Sequence, residues 1–360
     1  MKITGARLFI VVTLMAHILL AFFPGTCMEL YQGYLYGAMR KLFDFTIGLS
    51  PLPFIYPLVV LFFYYIIMHV IQDNSRRVGS VSSVFLALMK KISFLSVILV
   101  CIFYWVWGFN YYQENLSSRM NLGKVHIDSA YIREEICEVI PRLNALREDI
   151  KEDEILSLKG NGYKSMESTI RVSQENILQK MGWKPSGKVR VRRLPPEGFL
   201  LGWSTSGIYI PFSFEGHLDP GLHPLQYPFT LAHEMAHGYG VTNEGDCNTI
   251  ALISCMHTGS PLYEYAALLT YFRYLWFDAR WSEKQRTEIS AFISAIVRED
   301  LVAIKNQADK FPDFLPRWRD IVYEAYLHWM GVDDGLDSYH SIVDKMAALH
   351  EQYPALTKNK

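Results

Sequence analysis

Two histidines and a glutamate in one short segment have the residue types and the spacing of a catalytic metal site. His233, Glu234 and His237 form the pattern H-E-x-x-H. On a helix this spacing puts both imidazoles on the same face one turn apart, where they can bind a single zinc ion. Glu234 lies beside them, where it can take a proton from an attacking water. The segment therefore predicts a hydrolytic zinc centre with one Zn²⁺ per chain.

The residues around this motif favour a buried helix. None of positions 231, 232, 235, 236 and 238 carries a charged side chain. Pro228 suits a first helical turn, and Gly238 and Gly240 suit a C-terminal stop. The alternative interpretation is an amphipathic helix with two surface histidines and an unrelated glutamate, and the apolar flanks argue against it.

Two imidazoles do not complete a zinc site, so a third protein ligand is expected close behind them. A second helix is predicted to begin at Asn243, and its spacing puts Glu244 and Asn248 on one face. We expect Glu244 to be the third ligand, with Asp246 as the alternative. Asp246 points about 200° around the helix from Glu244, so the two should not share the metal. Asn243 and Asp246 also have capping-box spacing, which would give Asp246 a structural role, while a glutamate in a first turn can simply favour the helix dipole.

The two helices resemble those of the gluzincins, zinc peptidases with an H-E-x-x-H helix and a glutamate on a following helix. The second gluzincin helix carries E-x-x-x-D, in which the aspartate orients a zinc-bound histidine. Asn248 stands four residues after Glu244 in place of that aspartate, and the resemblance implies that it accepts a hydrogen bond from an imidazole. The metzincin pattern fits through Gly240 but fails at Asn243, where a third histidine is required.

The chain is also similar from end to end to an uncharacterised bacterial family of membrane-anchored zincin-like proteins. The similarity rests on apolar N-terminal segments, on W-G-x-N-Y-Y at 107–112, on H-E-x-x-H-x-x-G with acids close behind, and on G-x-x-S-Y at 335–339. It implies a fold and a topology but no substrate. It also makes Tyr339 the first choice for the donor that stabilises the oxyanion, ahead of His340, Tyr263 and His257.

Three apolar segments, at about 7–23, 53–71 and 93–110, are each near the length needed to cross a bilayer. The first resembles a secretory signal, but Phe22-Phe23-Pro24 follows it in place of a cleavage site, so we expect an uncleaved anchor. The loop 72–92 carries four basic residues and one acid, which favours a cytoplasmic location. The sequence thus predicts a cytoplasmic N-terminus, residues 113–360 on the outer face of a bacterial inner membrane, and an external packing segment at 28–49.

The predicted extracytoplasmic domain is mainly α, with a small sheet. Helices and strands are expected in 113–226, the metal helices in 227–258 and a helical subdomain in 259–360, including helices at 134–152, 163–181, 263–276, 282–308, 315–330 and 339–350. Strands are expected at 189–194 and 207–212. The second is predicted to be an edge strand that binds an extended peptide through Gly207, Ile208, Tyr209 and Ile210, although a purely structural hairpin fits the same pattern.

Composition excludes several classes of function. The formal net charge of −1 argues against nucleic-acid binding. Five cysteines without a C-x-x-C pair argue against a disulfide framework or a cysteine-based metal site. The expected function is a membrane-anchored zinc-dependent endopeptidase acting on peptides or proteins. The alternative is a catalytically inactive zincin-like envelope scaffold or sensor, against which the intact Glu234 argues.

Overall fold

The computed structural model describes residues 3–74, 81–278, 281–314 and 341–357, together with residues 320–321, 324–326 and 329–330. The described chain is mostly helical with one small sheet. It divides into two compact units. Unit 1 contains Met1–Gln113, Ser186–Lys188 and Ile210–Glu215, and unit 2 contains Glu114–Pro185, Val189–Tyr209 and Gly216–Lys360.

The helices of unit 1 are α1 Ile3–Phe22, α2 Pro24–Leu30, α3 Gly37–Phe45, α4 Ile55–Asn74 and α5 Val81–Val106, of which α1, α4 and α5 are long and apolar. Among the described residues, two helical stretches are long and apolar enough to cross a membrane, Gly5–Phe22 and Met89–Val106. The apolar stretch of α4, Ile55–Met68, is shorter than the 18 residues of the other two. Two of the three predicted spans are therefore met by full-length apolar helices, and the described apolar stretch of α4 covers most of the third.

Helix α1 is tied to α5 through its polar side chains. Trp105 Nε1 donates a hydrogen bond to Thr13 Oγ1 at 2.9 Å, and His17 Nδ1 lies 3.0 Å from the Tyr112 hydroxyl just beyond α5. Polar side chains that pair between apolar helices in this way hold the helices together. These two contacts connect α1 to α5 and to the segment that follows it within unit 1.

The predicted packing segment between the first two apolar helices contains a buried ion pair. The Arg40 guanidinium nitrogen Nη2 lies 3.0 Å from Asp44 Oδ1, and both residues are almost fully buried. Asp44 Oδ2 also accepts a hydrogen bond from the Lys188 backbone N at 2.5 Å, and Arg40 donates to the Phe214 carbonyl oxygen. Phe54 N donates to Glu215 Oε2 at 2.9 Å. A buried ion pair is stable only when additional hydrogen bonds satisfy its remaining polar atoms. Lys188 and Phe214 provide such bonds, and they connect the segments 186–188 and 210–215 to the helices of unit 1.

Unit 2 carries the remaining elements, except that the last residue of β2 and the first of β3 belong to unit 1. Its elements are α6 Leu116–Arg119, α7 Ser129–Glu148, α8 Glu152–Ser157, α9 Tyr163–Lys180, β1 Arg190–Arg193, β2 Gly207–Ile210, β3 Glu215–Leu218, α10 Tyr227–Gly238, α11 Glu244–Met256, α12 Pro261–Asp278, α13 Glu283–Ala291, α14 Ala295–Ala308, α15 Ile342–Gln352 and α16 Pro354–Thr357. Helices α10 and α11 pack against each other and against α9 and α12, and every residue of α11 is buried.

Most of the predicted helices and strands are present, and the differences lie at their boundaries and in short elements that were not predicted, such as α8 Glu152–Ser157. Helix α7 begins at Ser129 rather than 134 because the Asp128 carboxylate accepts hydrogen bonds from the N–H groups of Ala130 and Tyr131. The single helix predicted at 282–308 is two helices, since Ser294 caps the start of α14. Strand β3 was not predicted, and most of the helix predicted at 315–330 lies outside the described residues.

The sheet has the strand order β1-β3-β2, so β2 forms an edge as predicted. Asp219 N donates to Ser206 O at 3.0 Å, which places the start of β2 opposite the end of β3. Leu194 N donates to Leu218 O at 2.8 Å, which places the end of β1 beside the same end of β3. Strand β2 is therefore antiparallel to β3, and β1 is parallel to β3.

Candidate metal centre

The short connection between α10 and α11 places the C-terminal end of α10 next to the N-terminal end of α11. Gly240 has a φ of +91°, which favours glycine and turns the chain after α10. The Asn243 side chain then accepts a hydrogen bond from Asp246 N at 3.0 Å and caps α11. Glu244 is consequently the first residue of α11, next to the C-terminal turn of α10, where His237 lies.

The structure brings His233, His237 and Glu244 into one buried cluster. One ligand atom from each lies within 4.8 Å of the other two. Glu244 Oε2 is 3.1 Å from His233 Nε2 and 3.3 Å from His237 Nε2. Ligand atoms bound to zinc at about 2.0–2.2 Å in a tetrahedron lie roughly 3.4 Å apart. The two distances from Glu244 Oε2 to the imidazole nitrogens are therefore close to those expected around one zinc ion.

Both imidazoles are oriented by hydrogen bonds through their other ring nitrogen. His237 Nδ1 donates to the Val241 carbonyl oxygen at 2.9 Å. His233 Nδ1 lies 2.8 Å from Asn248 Oδ1, the contact that the gluzincin resemblance implied. A neutral imidazole that donates through Nδ1 has its lone pair on Nε2. Each ring thus presents a metal-binding nitrogen to Glu244.

Asn248 is itself held by a residue that no local pattern identifies. Its Nδ2 donates to the Tyr274 hydroxyl at 3.2 Å. Tyr274 comes from α12, where one more aromatic residue in an apolar helix carries no signal of a role at the site. The chain from Tyr274 through Asn248 to His233 extends the site to a third helix.

The electrostatics of the cluster favour a bound cation. Burial opposes the charged form of His237, yet Cys247 and Glu244 raise its pKa well above the ordinary value. Burial also opposes ionisation of Glu244, but the two imidazoles lower its pKa below the ordinary value. A positive charge at the meeting point of the three side chains is therefore stabilised, and a metal ion can take the place of the shared proton.

Glu234 lies beside this cluster and against the sheet. A Cβ at Gly207 of β2 would lie 2.7 Å from Glu234 Oε1, and a Cβ at Gly216 of β3 would lie 2.9 Å from Glu234 Cβ. Glu234 Oε2 has no hydrogen-bond partner among the described residues. Burial raises the pKa of Glu234 to about 7, against the lowering effect of the two imidazoles. A carboxyl group with a pKa near 7 can take up or release a proton at neutral pH.

Asp246, the alternative ligand, is engaged elsewhere. Its Oδ2 accepts a hydrogen bond from Leu116 N at 2.8 Å, and its Oδ1 lies 2.8 Å from Lys345 Nζ. Its carboxylate does not belong to the cluster of potential metal ligands. The structure therefore places it on another face of α11 from Glu244, as the helical spacing predicted.

Of the four candidates for the oxyanion donor, the structure describes only His257 and Tyr263, and neither is brought to the site. Tyr339 and His340 lie outside the described residues. His257 follows the far end of α11, about 20 Å from Glu244 at 1.5 Å per residue, and its Nε2 lies 2.8 Å from the Leu356 carbonyl oxygen. Tyr263 is in the first turn of α12 at that same end. The length of α11 therefore separates His257 and Tyr263 from the candidate metal ligands.

The predicted peptide-binding strand runs beside the candidate base. Gly207 lies against Glu234, Ile208 is 41% exposed and Tyr209 is buried. Ile210, the last residue of β2, belongs to unit 1. The outer edge of β2 next to Glu234 is thus carried by a glycine and an exposed apolar side chain.

The sequence from residue 31 to residue 347 matches the model of a family described as a protein of unknown function, DUF3810. Since the match covers most of the chain, the protein belongs to this family. No curated protein and no solved structure matches the sequence significantly. The family match agrees with the similarity to an uncharacterised family, and its description assigns no activity.

Proposed function

We propose that this member of the DUF3810 family is a membrane-anchored zinc-dependent peptidase. The observation that carries the proposal is the buried group of His233, His237 and Glu244, whose ligand atoms all lie within 4.8 Å of one another. Both imidazoles are oriented by hydrogen bonds to their Nδ1 atoms. Glu234 lies directly beside this group. Structural zinc sites do not require such a carboxylate, whereas hydrolysis does.

Each residue of the proposed site has a separate chemical role. Zinc, when bound, supplies a Lewis acid that lowers the pKa of water and polarises a carbonyl group. Glu234 accepts a proton from the attacking water and returns it to the leaving amine, which restores the carboxylate for the next cycle. Asn248 and the Val241 carbonyl keep the two imidazoles in position.

A peptide is the substrate that the surroundings of the site fit best. Strand β2 is an edge strand, and an extended peptide can add to such a strand through main-chain hydrogen bonds. Because the Gly207 end of β2 touches Glu234, a peptide bound along β2 has its backbone next to the base. This arrangement favours cleavage within a chain and places few demands on its sequence.

The zinc content of the full-length protein tests the proposal. Purified in detergent without chelators, the protein should contain one zinc ion per chain by elemental analysis. It should also cleave members of a peptide library, and a chelator should stop cleavage until zinc is restored. Protein that carries no transition metal and gains none from added zinc would remove the basis of the proposal.

A non-catalytic role is the second candidate, and the burial of the site is the observation that favours it. His233 and His237 are each 8% exposed, and Glu234 and Glu244 are each 4% exposed. Closed zinc sites are common in structural roles. In that case the protein would be an envelope scaffold or sensor that uses zinc to hold α10 and α11 together.

We also propose that the metal centre lies outside the cytoplasm of a bacterial cell. Alkaline phosphatase fused after Lys360 should then be active, because the enzyme matures only after export. The same enzyme inserted within 76–91 should be inactive, since that basic loop is expected in the cytoplasm. Whole-cell phosphatase activity, compared at equal expression, is the measurement. The reverse pattern would place the metal centre in the cytoplasm.

A further inference from the structure

The first turn of α11, which carries Glu244, is contacted by a buried lysine from helix α15. Lys345 is 8% exposed, and Asp246 is 1% exposed. Lys345 Nζ lies 2.8 Å from Asp246 Oδ1. It also donates hydrogen bonds to Asn243 Oδ1 at 2.9 Å and to Ser341 Oγ at 2.8 Å. The ammonium group thus makes two hydrogen bonds and one close ion pair, with all three oxygens within 2.9 Å of Nζ.

The acceptors of Lys345 are the residues that define the start of α11. Asn243 Oδ1 is the N-cap oxygen of this helix, since it also accepts from Asp246 N. Asp246 Oδ2 accepts from Leu116 N at 2.8 Å, which ties the same turn to α6. Glu244 lies between Asn243 and Asp246 in the sequence. The Lys345 ammonium group therefore contacts a residue on each side of Glu244.

We propose that Lys345 is a positioning residue for the metal centre, through which metal binding and the docking of α15 stabilise each other. The inference rests on the proposed zinc site, but it concerns a residue that binds no metal. Without Lys345, the carboxylate of Asp246 is left buried without its counter-charge, which is strongly unfavourable. The first turn of α11 must then shift, and the Glu244 carboxylate moves relative to the two imidazoles. By linkage, a metal ion that holds Glu244 in place also strengthens the docking of α15.

The test compares Lys345→Met with Lys345→Arg and with a matched control in the full-length protein. The control is Arg147→Met, because Arg147 forms another buried ion pair of unit 2, 2.6 Å from Asp300, on elements that do not carry a metal ligand. Zinc affinity is measured by competition with a chromophoric chelator. We expect Lys345→Met to weaken zinc binding about 10-fold or more. Lys345→Arg should restore most of the affinity, and Arg147→Met should leave it unchanged even if both methionine variants melt at lower temperature.

Hydrogen exchange in the wild-type protein provides a second measurement that needs no variant. Removal of zinc should increase exchange within 342–352 and leave exchange within 133–148 unchanged. Equal zinc affinity in Lys345→Met and the wild type, or equal effects of Lys345→Met and Arg147→Met, would overturn the positioning role while leaving the zinc peptidase proposal intact. Absence of zinc binding in the wild type would instead overturn the proposed function.

Discussion

Replacing Glu244 with alanine should lower the affinity of the protein for zinc by far more than the roughly 10- to 100-fold that follows from loss of a residue supporting a ligand. Glu244 is one of three side chains in the described chain whose ligand atoms meet at one point. Its removal leaves two imidazoles, which do not complete a zinc site. Zinc affinity measured by chelator competition is the readout, with circular dichroism to show that the variant is folded.

Two neighbouring substitutions serve as controls for Glu244→Ala. Asn248→Ala removes only the acceptor for His233 Nδ1, so its loss of affinity should stay within about 10- to 100-fold. Asp246→Ala removes the partner of Lys345 and should weaken zinc binding less than Glu244→Ala does. Loss of zinc from Asp246→Ala with retention by Glu244→Ala would show that the register of α11 at the site is wrong.

Replacing Glu234 with glutamine should abolish hydrolysis while zinc remains bound. Glutamine has nearly the same shape as glutamate, so it fits between Gly207 and Gly216, where a larger side chain would not. It cannot take up a proton from water, and loss of a general base lowers kcat by about 10²- to 10⁴-fold. Cleavage of a peptide selected from the library and zinc content should be measured on the same preparation.

The same variant separates the two candidate functions. If the cellular phenotype of a deletion strain is restored by Glu234→Gln, the protein acts as a scaffold or sensor, because only catalysis needs the carboxylate. If the phenotype is not restored by a folded, zinc-loaded variant, hydrolysis is the function. Undiminished cleavage by Glu234→Gln would show that another residue is the base.

The metal helices could be predicted from the sequence because their signals are local. The spacing of His233 and His237, the cap at Asn243 and the position of Asn248 four residues after Glu244 all act within one or two helical turns. Because a helix has 3.6 residues per turn, the number of residues between two side chains determines the angle between them around the helix. For the same reason, the separation of Asp246 from Glu244 around α11 was predictable.

Contacts between distant parts of the chain could not be predicted in this way. Tyr274 reaches Asn248, and Lys345 reaches Asp246, only because α12 and α15 pack beside α11. Strand β3, Glu215-Gly-His-Leu218, is four residues long and has no alternation of apolar and polar residues. The structure identifies β3 as a strand through its hydrogen bonds to the neighbouring strands. Its sequence lacks the alternation of apolar and polar residues by which a strand is recognised.

The buried pair of Arg40 and Asp44 limits how many times the chain can cross a bilayer. Because Asp44 is bonded to Lys188 and Arg40 to Phe214, the connection between α1 and α4 must lie on the same side of any membrane that the chain crosses as the segments 186–188 and 210–215. A chain that leaves one side and returns to it makes an even number of crossings. Helices α4 and α5 must therefore cross together or not at all. If α5 spans the membrane, α4 must therefore span it as well, because only an even number of crossings returns the chain to the same side.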